Sequence, residues 1–295
     1  MKTLLLIFFS LFSLPILAQE VSNVQVRQTN EKLSVSFDLF GKADDYLVTI
    51  EYAEDGQQFL QLKQEMLRPG KKEILVDQAL YCASCIFRVH AVDVRIMDID
   101  GNYYHTVKIG DQVWMRENLK TSKYRNGDPI PTHLSDADWG STSLGAYAIY
   151  NNDSANNTTY GKLYNWYAVA DPRGLCPAGW HVPSDAEWTT LENFLGGASV
   201  AGGKMKSTGT IEAGTGLWQN PNTDATNSSG FAGLPGGYRG SIGTYNNVGG
   251  FGYWWSSTEG SSPSAGSRSL GYTNGGSVRT SNVETGGFSV RCLRD

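Results

Sequence analysis

The sequence predicts two modules: an all-β sandwich over residues 20–95 and, over residues 96–295, a loop-rich domain organised around one main helix. Three observations lead there. Apolar residues alternate with polar ones at period two through the first module, as half-buried strands require. A capping box followed by an apolar stripe marks a single helix in the second. Glycine and aromatic residues are abundant together, with 34 Gly beside 8 Trp, 15 Tyr and 11 Phe among 295 residues. That pairing suits a folded, loop-rich chain and not a disordered one, because large rings offset the entropy of ordering the loops.

The chain begins with a secretory pattern. Lys2 supplies the charge, Leu4 to Leu17 the apolar stretch and Ile16-Leu17-Ala18 a cleavage site before Gln19, so residues 1–18 are expected to be removed. No cysteine follows the apolar stretch, so a lipoprotein is not expected. No second run of spanning length occurs, which predicts a soluble protein that is secreted, periplasmic or held at the cell surface. The net charge of −5 gives no electrostatic reason to expect nucleic acid or an anionic membrane as partner.

Four cysteines in an exported chain suggest two disulfides, with three pairings possible. Cys82-Ala-Ser-Cys85 has redox or zinc spacing but lacks a strand-to-helix setting, and a short local disulfide is expected instead. Cys176 then pairs with Cys292, closing a loop worth about 4–5 kcal/mol on the chain-entropy model.

In the first module, Leu33, Val35, Phe37 and Leu39 alternate with polar neighbours, as do Tyr46, Val48, Ile50 and Tyr52, and then Phe87, Val89 and Ala91. Asp55-Gly56 predicts a hairpin turn between strands over 46–53 and 57–62, and the run from Arg68 to Lys71 a second turn. No helical period interrupts, which points to an immunoglobulin or fibronectin type III sandwich.

Beyond Ile96 the pattern changes. Asp98 to Asn102 begins like a calcium loop, but the sixth position is Tyr103 and the twelfth Ile109, where such a loop needs Gly and Glu. A hairpin turning at Asp100-Gly101 is predicted instead. The main helix starts after Pro183. Ser184 is its N-cap and Glu187 completes the capping box. Trp188, Leu191, Phe194 and Leu195 form its stripe, and Gly196-Gly197 ends it. From Gly196 to Ser281 the chain reads as long loops and short strands with aromatic anchors.

Several segments in order carry a family resemblance. They are the run Thr106 to Lys120, Tyr124 to Ile130, Gly161 to Ala168, Cys176 to Ser184, Gly233 to Arg239, Tyr253 to Glu259 and Gly287 to Cys292. The succession resembles the Fibrobacter succinogenes major paralogous domain over residues 96–295. More faintly, Val182 to Trp188 and the ending Gly287-Phe-Ser-Val-Arg-Cys292 are similar to the helix start and last strand of formylglycine-generating sulfatase-modifying enzymes. That likeness implies an α+β C-type lectin-like fold, with one main helix, a twisted antiparallel sheet and long loops. It also implies that a cysteine near the helix pairs with one in the last strand, in agreement with Cys176 and Cys292. The first module looks like the short sandwiches of exported Bacteroidetes-type proteins. Asp153-Ser154-Ala155 matches their O-glycosylation sequon, in a polar loop, which makes Ser154 a candidate acceptor.

The related oxidases use a reactive cysteine pair. Here the cysteines are spent on disulfides, so no catalytic residue is expected and the enzyme is the alternative reading. The four histidines are scattered, and His181 is expected to make a structural hydrogen bond. Sugar binding is the sharper expectation, since stacking wants exposed rings beside amides and carboxylates. Tyr253, Trp254 and Trp255 with Glu259, and Asn220-Pro-Asn222 with Asp224, are the candidate ligand residues. One of the two tryptophans is expected in the core, with its neighbour on the opposite face of the strand. The second group faintly resembles the calcium and sugar motif of C-type lectins, but Asn220 stands where a carboxylate leads. No cofactor is expected, with calcium as the alternative. The expected role is binding of an extracellular glycan or envelope protein, or a purely structural one.

Overall fold

The computed structural model describes residues 21–28, 33–40, 46–54, 58–67, 70–76, 85–93 and 95–295. The expected signal peptide, the Asp55-Gly56 turn, Arg68, Pro69 and Cys82 lie outside the described residues. The chain divides into two compact units, Met1–Arg95 and Ile96–Asp295. Among the described residues no helix is long and apolar enough to cross a membrane.

The first unit contains β1 (Val21–Gln28), β2 (Leu33–Leu39), β3 (Tyr46–Ala53), β4 (Leu60–Leu67), β5 (Gly70–Val76) and β6 (Ile86–Asp93). They form two three-stranded sheets, β1-β2-β5 and β4-β3-β6. The alternation read in the sequence is the reason. Leu33, Val35, Phe37 and Leu39 of β2 and Tyr46, Val48 and Ile50 of β3 all enter one core with Ile74 and Val76. β4 begins three residues later than the turn signal implied, and it pairs with β3 in antiparallel register from Tyr52↔Leu60 to Tyr46↔Leu67.

The second unit opens with two hairpins, β7 (Ile96–Met97) with β8 (Tyr103–Tyr104) and β9 (Thr106–Ile109) with β10 (Gln112–Met115). Asp98 fixes the first, as its carboxylate accepts from the amides of Asp100 and Asn102, the Asn102 side chain and the Tyr104 hydroxyl. These oxygens are turned into the hairpin itself. Then follow α1 (Asp136–Ser141), β11 (Tyr147–Ala148), α2 (Ser154–Tyr160), β12 (Leu163–Tyr164), α3 (Trp166–Val169) and β13 (Trp180–His181). Next come α4 (Asp185–Phe194), α5 (Ala198–Met205), β14 (Gly236–Arg239), β15 (Tyr245–Val248), β16 (Phe251–Glu259), β17 (Ser264–Gly271), β18 (Ser277–Val283) and β19 (Leu293–Arg294). The main sheet has the order β15-β14-β16-β17-β18, and a second has β13-β19-β10-β9.

The α+β C-type lectin-like class expected from the resemblance is overturned. The structure is 41% strand and 15% helix, spread over several small sheets. The motifs behind that expectation specify a helix cap and one disulfide, and neither dictates how the sheets are built. α4 itself forms as read, with Ser184 and Glu187 closing the capping box reciprocally. Yet it has only ten residues, and its stripe is narrower than expected. Trp188, Leu191 and Leu195 are buried, whereas Phe194 is 64% exposed.

The region read as loops and short strands also holds more order. β16, β17 and β18 have nine, eight and seven residues, and α5 was not foreseen. Its sequence, Ala-Ser-Val-Ala-Gly-Gly-Lys-Met, carries two glycines that weaken helix propensity. Close packing explains them. A Cβ on Gly202 would lie 2.0 Å from the Gly276 carbonyl oxygen, and one on Gly203 would lie 2.5 Å from that of Asp224.

Candidate functional site

β16 is the axis of the candidate site, because its period-two alternation sends neighbouring rings into different surroundings. Trp254 enters the core beneath α4 with Trp188, Phe231 and Leu270. Trp255 enters the opposite core with Tyr164 and Phe288. Both indoles are fully buried. Each N–H is satisfied inside, Trp254 donating to Asn118 Oδ1 at 2.9 Å and Trp255 to the Tyr164 carbonyl at 2.7 Å. Neither ring has a face to offer a sugar, so the expectation that one of the pair reaches the surface gives way. The sheet is covered on both sides here, and the second ring is buried as deeply as the first.

The face that carries Trp255 continues outward as a row of rings. Trp255 lies 4.4 Å from Phe288 between centroids, Phe288 stacks on Tyr253 at 5.2 Å, and Tyr253 stacks on Phe251 at 6.0 Å. Tyr238 meets Tyr253 edge-on at 5.1 Å, and Tyr272 meets Phe251 edge-on at 6.3 Å. The inner members are buried, while Tyr238, Phe251, Tyr253 and Tyr272 are half-buried. Amides flank this outer end. The exposed Asn247 donates to the Tyr253 hydroxyl at 3.0 Å. The exposed Gln219 lies against Gly249 and Gly250, immediately before Phe251. Burial raises the Tyr253 pKa, Asn247 pulls it down and Tyr238 adds to the rise.

Of the residues selected from sequence, Trp255 and Tyr253 stand in this row, and only Tyr253 reaches its half-buried outer end. Glu259 is exposed at the far end of β16. Phe251 and Tyr238 were visible only as apolar anchors, and Tyr272, Asn247 and Gln219 carried no signal. The spacing of Phe251, Tyr253 and Trp255 on one strand face was the available clue.

The Asn220, Asn222 and Asp224 group is placed elsewhere and does something different. Asn220 and Asp224 are exposed, and Asn222 is buried. The Asn222 side chain donates to the carbonyls of Ser207 and Gly209, both at 3.0 Å. The carbonyl of Thr223 points inward to the buried Lys206, whose ammonium also reaches the carbonyls of Gly271 and Asn274, at 2.7, 3.0 and 2.8 Å respectively. An ammonium thus sits where these loop oxygens converge. Burial pushes the Lys206 pKa down to about 8, against the pull of Asp224. Among the described residues no group of three or more His, Cys, Asp or Glu side chains is arranged so that it could hold a metal ion.

Arg268, Arg291 and His181 are likewise spent on architecture. Arg268 bonds Asp185 at 2.6 Å and Glu192 at 2.9 Å. Arg291 donates to Asn118 and to the carbonyls of Phe231 and Ala232, and burial holds its pKa down to about 9. His181 is bonded on both ring nitrogens, to Asp295 at 2.7 Å and Glu187 at 2.9 Å. Burial alone would lower its pKa, but the two carboxylates raise it.

Cys176 and Cys292 form a disulfide across 116 residues. Cys85 is also disulfide-bonded, and Cys82 lies outside the described residues. Ser154 is exposed, but it opens α2 and does not lie in a loop. Asp153 caps that helix by accepting from the Ala155 amide at 3.0 Å.

A sequence profile described as the Fibrobacter succinogenes major domain matches residues 107–294. No curated protein and no solved structure matches the chain.

Proposed function

We propose that this chain, which belongs to the Fibrobacter succinogenes major domain family through residues 107–294, is an exported, non-catalytic binding protein that recognises an extracellular glycan or an envelope protein. The observation that carries the reading is the outer end of the ring row, where Tyr238, Phe251, Tyr253 and Tyr272 are half-buried beside exposed amides. Buried rings behind them hold these side chains in place, and preorganised aromatic residues with a polar edge are what binding surfaces use. Ser154, exposed beside its Asp153 cap, is an accessible acceptor for glycosylation.

The alternative, an enzyme related to the sulfatase-modifying oxidases, requires a thiolate. Cys176 and Cys292 are joined to each other, which disfavours it. The test is a pull-down of the purified mature protein with isolated cell envelopes, before and after protease treatment and before and after glycan oxidation. Saturable binding supports the reading, and its absence from every envelope fraction leaves only a structural role.

A further inference from the structure

His181 stands where its two charge states cannot make the same bonds. It ends β13, beside β19 of the closing segment and just before α4. Two separate pieces of local order bring carboxylates to it. Glu187 turns back to complete the capping box, and its other oxygen then lies 2.9 Å from His181 Nε2. On the neighbouring strand His181 is opposite Leu293. Period two puts Asp295 on the same face as Leu293, and its carboxylate lies 2.7 Å from Nδ1. These two carboxylates are the charges that act on the ring. The other charged side chains around it face elsewhere. Asp185 of α4 bonds Arg268 and Arg279, Arg125 donates to the carbonyls of Cys176 and Trp180, and Arg294 of β19 stands opposite Trp180. β10, on the far side of β19, carries no charged residue.

An imidazolium donates from both ring nitrogens, whereas a neutral imidazole keeps one N–H and presents a lone pair at the other. At these distances that lone pair would meet a carboxylate oxygen, so one contact breaks when the proton leaves. What else holds each carboxylate decides which. Glu187 is anchored by the Ser184 amide at 2.7 Å and the Ser184 hydroxyl at 2.8 Å. Asp295 has no other side-chain bond among the described residues, and it is the more exposed of the two, 58% against 33%.

We infer that His181 is a proton-operated clasp: with both ring nitrogens protonated it ties the closing segment to the start of α4 through Asp295, and on losing the Nδ1 proton to solvent it keeps Glu187 and releases Asp295. The released end retains its backbone bond, from the Asp295 amide to the Gly179 carbonyl at 3.0 Å. Mildly acidic medium therefore holds this end of the chain and alkaline medium loosens it. Burial lowers the His181 pKa, but the two carboxylates outweigh burial and raise it, so release comes above the ordinary imidazole value of about 6.5.

The test is NMR of the isotope-labelled, full-length mature protein from about pH 5 to 9, the range in which a histidine titrates. It reads the imidazole nitrogen shifts of His181 and the exchange protection of the Asp295 amide, corrected for the intrinsic pH dependence of exchange. The expected result is a midpoint above that of free imidazole, an Nε2–H tautomer on the alkaline side, and protection that falls about fivefold across the transition, as a partly exposed ion pair supports. His181→Gln is expected to make the protection independent of pH, and Asp295→Asn to lower the midpoint. Both positions are partly exposed, so neither variant threatens the fold. An Nδ1–H tautomer, a midpoint at or below that of free imidazole, a midpoint unchanged in Asp295→Asn, or the same fall in protection in His181→Gln overturns the inference.

Discussion

Replacing Lys206 by methionine tests whether an internal ammonium organises the loops of the second unit. Methionine keeps the apolar stem beneath Trp218, whose ring centroid lies 5.5 Å from the ammonium, but it removes all three donors. The carbonyls of Thr223, Gly271 and Asn274 then lose their partner in a buried site. An unpaired buried polar group costs about 1–3 kcal/mol. Three such groups with partial relaxation give a loss of about 3 kcal/mol. For a unit of this size that is a fall in Tm of roughly 6–12 °C. Calorimetry on the full chain with resolved transitions reads it. The sign of the pH dependence adds a second readout. With its pKa near 8 when folded, Lys206 is less protonated in the native state than in the unfolded chain between pH 8 and about 10.5. Its linkage term therefore raises stability as pH climbs through that window. Lys206→Met abolishes that term. A loss below about 1 kcal/mol, with an unchanged pH profile, would refute the reasoning, since water would then be replacing the ammonium.

Three further outcomes follow from the same structure. Replacing Cys176 and Cys292 together by serine should lower stability by about 4–5 kcal/mol on the chain-entropy model for a loop of 116 residues, measured by urea unfolding. Gly202→Ala should destabilise by about 2–3 kcal/mol, because its Cβ meets a backbone oxygen at 2.0 Å; a stabilised variant would show that α5 packs less closely. The raised pKa of His181 means its contribution is complete below the unfolded value near 6.5 and is lost as pH rises through the folded one. Solvent screening keeps it within about 1 kcal/mol, and the difference between wild type and His181→Gln across pH 5–9 should decline accordingly.

The features legible in the sequence are those decided within a few residues. The capping box at Ser184 and Glu187 depends on a spacing of three. The Asp98 hairpin likewise depends on an Asx turn closed by near neighbours. The Cys176–Cys292 bridge followed from compartment and elimination, which need no geometry. What escaped was decided over distance. Period two placed Trp254 and Trp255 on opposite faces, but whether each face is covered depends on α4 on one side and on Phe288 on the other. α5 contradicts its own propensity, because its glycines answer to Gly276 and Asp224. The architecture was misjudged for the same reason. Motifs at a helix start and a last strand say nothing of how β14 to β18 assemble. Tyr253 stood out in the sequence, whereas Phe251, Tyr238 and Tyr272 come together around it only when three strands are side by side.

The closing segment of the second unit is threaded through its middle. Gly287, Phe288 and Ser289 bridge Arg239, Tyr164 and Trp254. The carbonyls of Val290 and Cys292 accept from the amides of Leu119 and Met115, and β19 lies between β13 and β10. During synthesis this keystone leaves the ribosome after everything it supports. Until then both cores lack a wall, so the nascent domain has no complete fold to adopt. Because Cys292 lies in this segment, its disulfide with Cys176 closes only after that strand arrives.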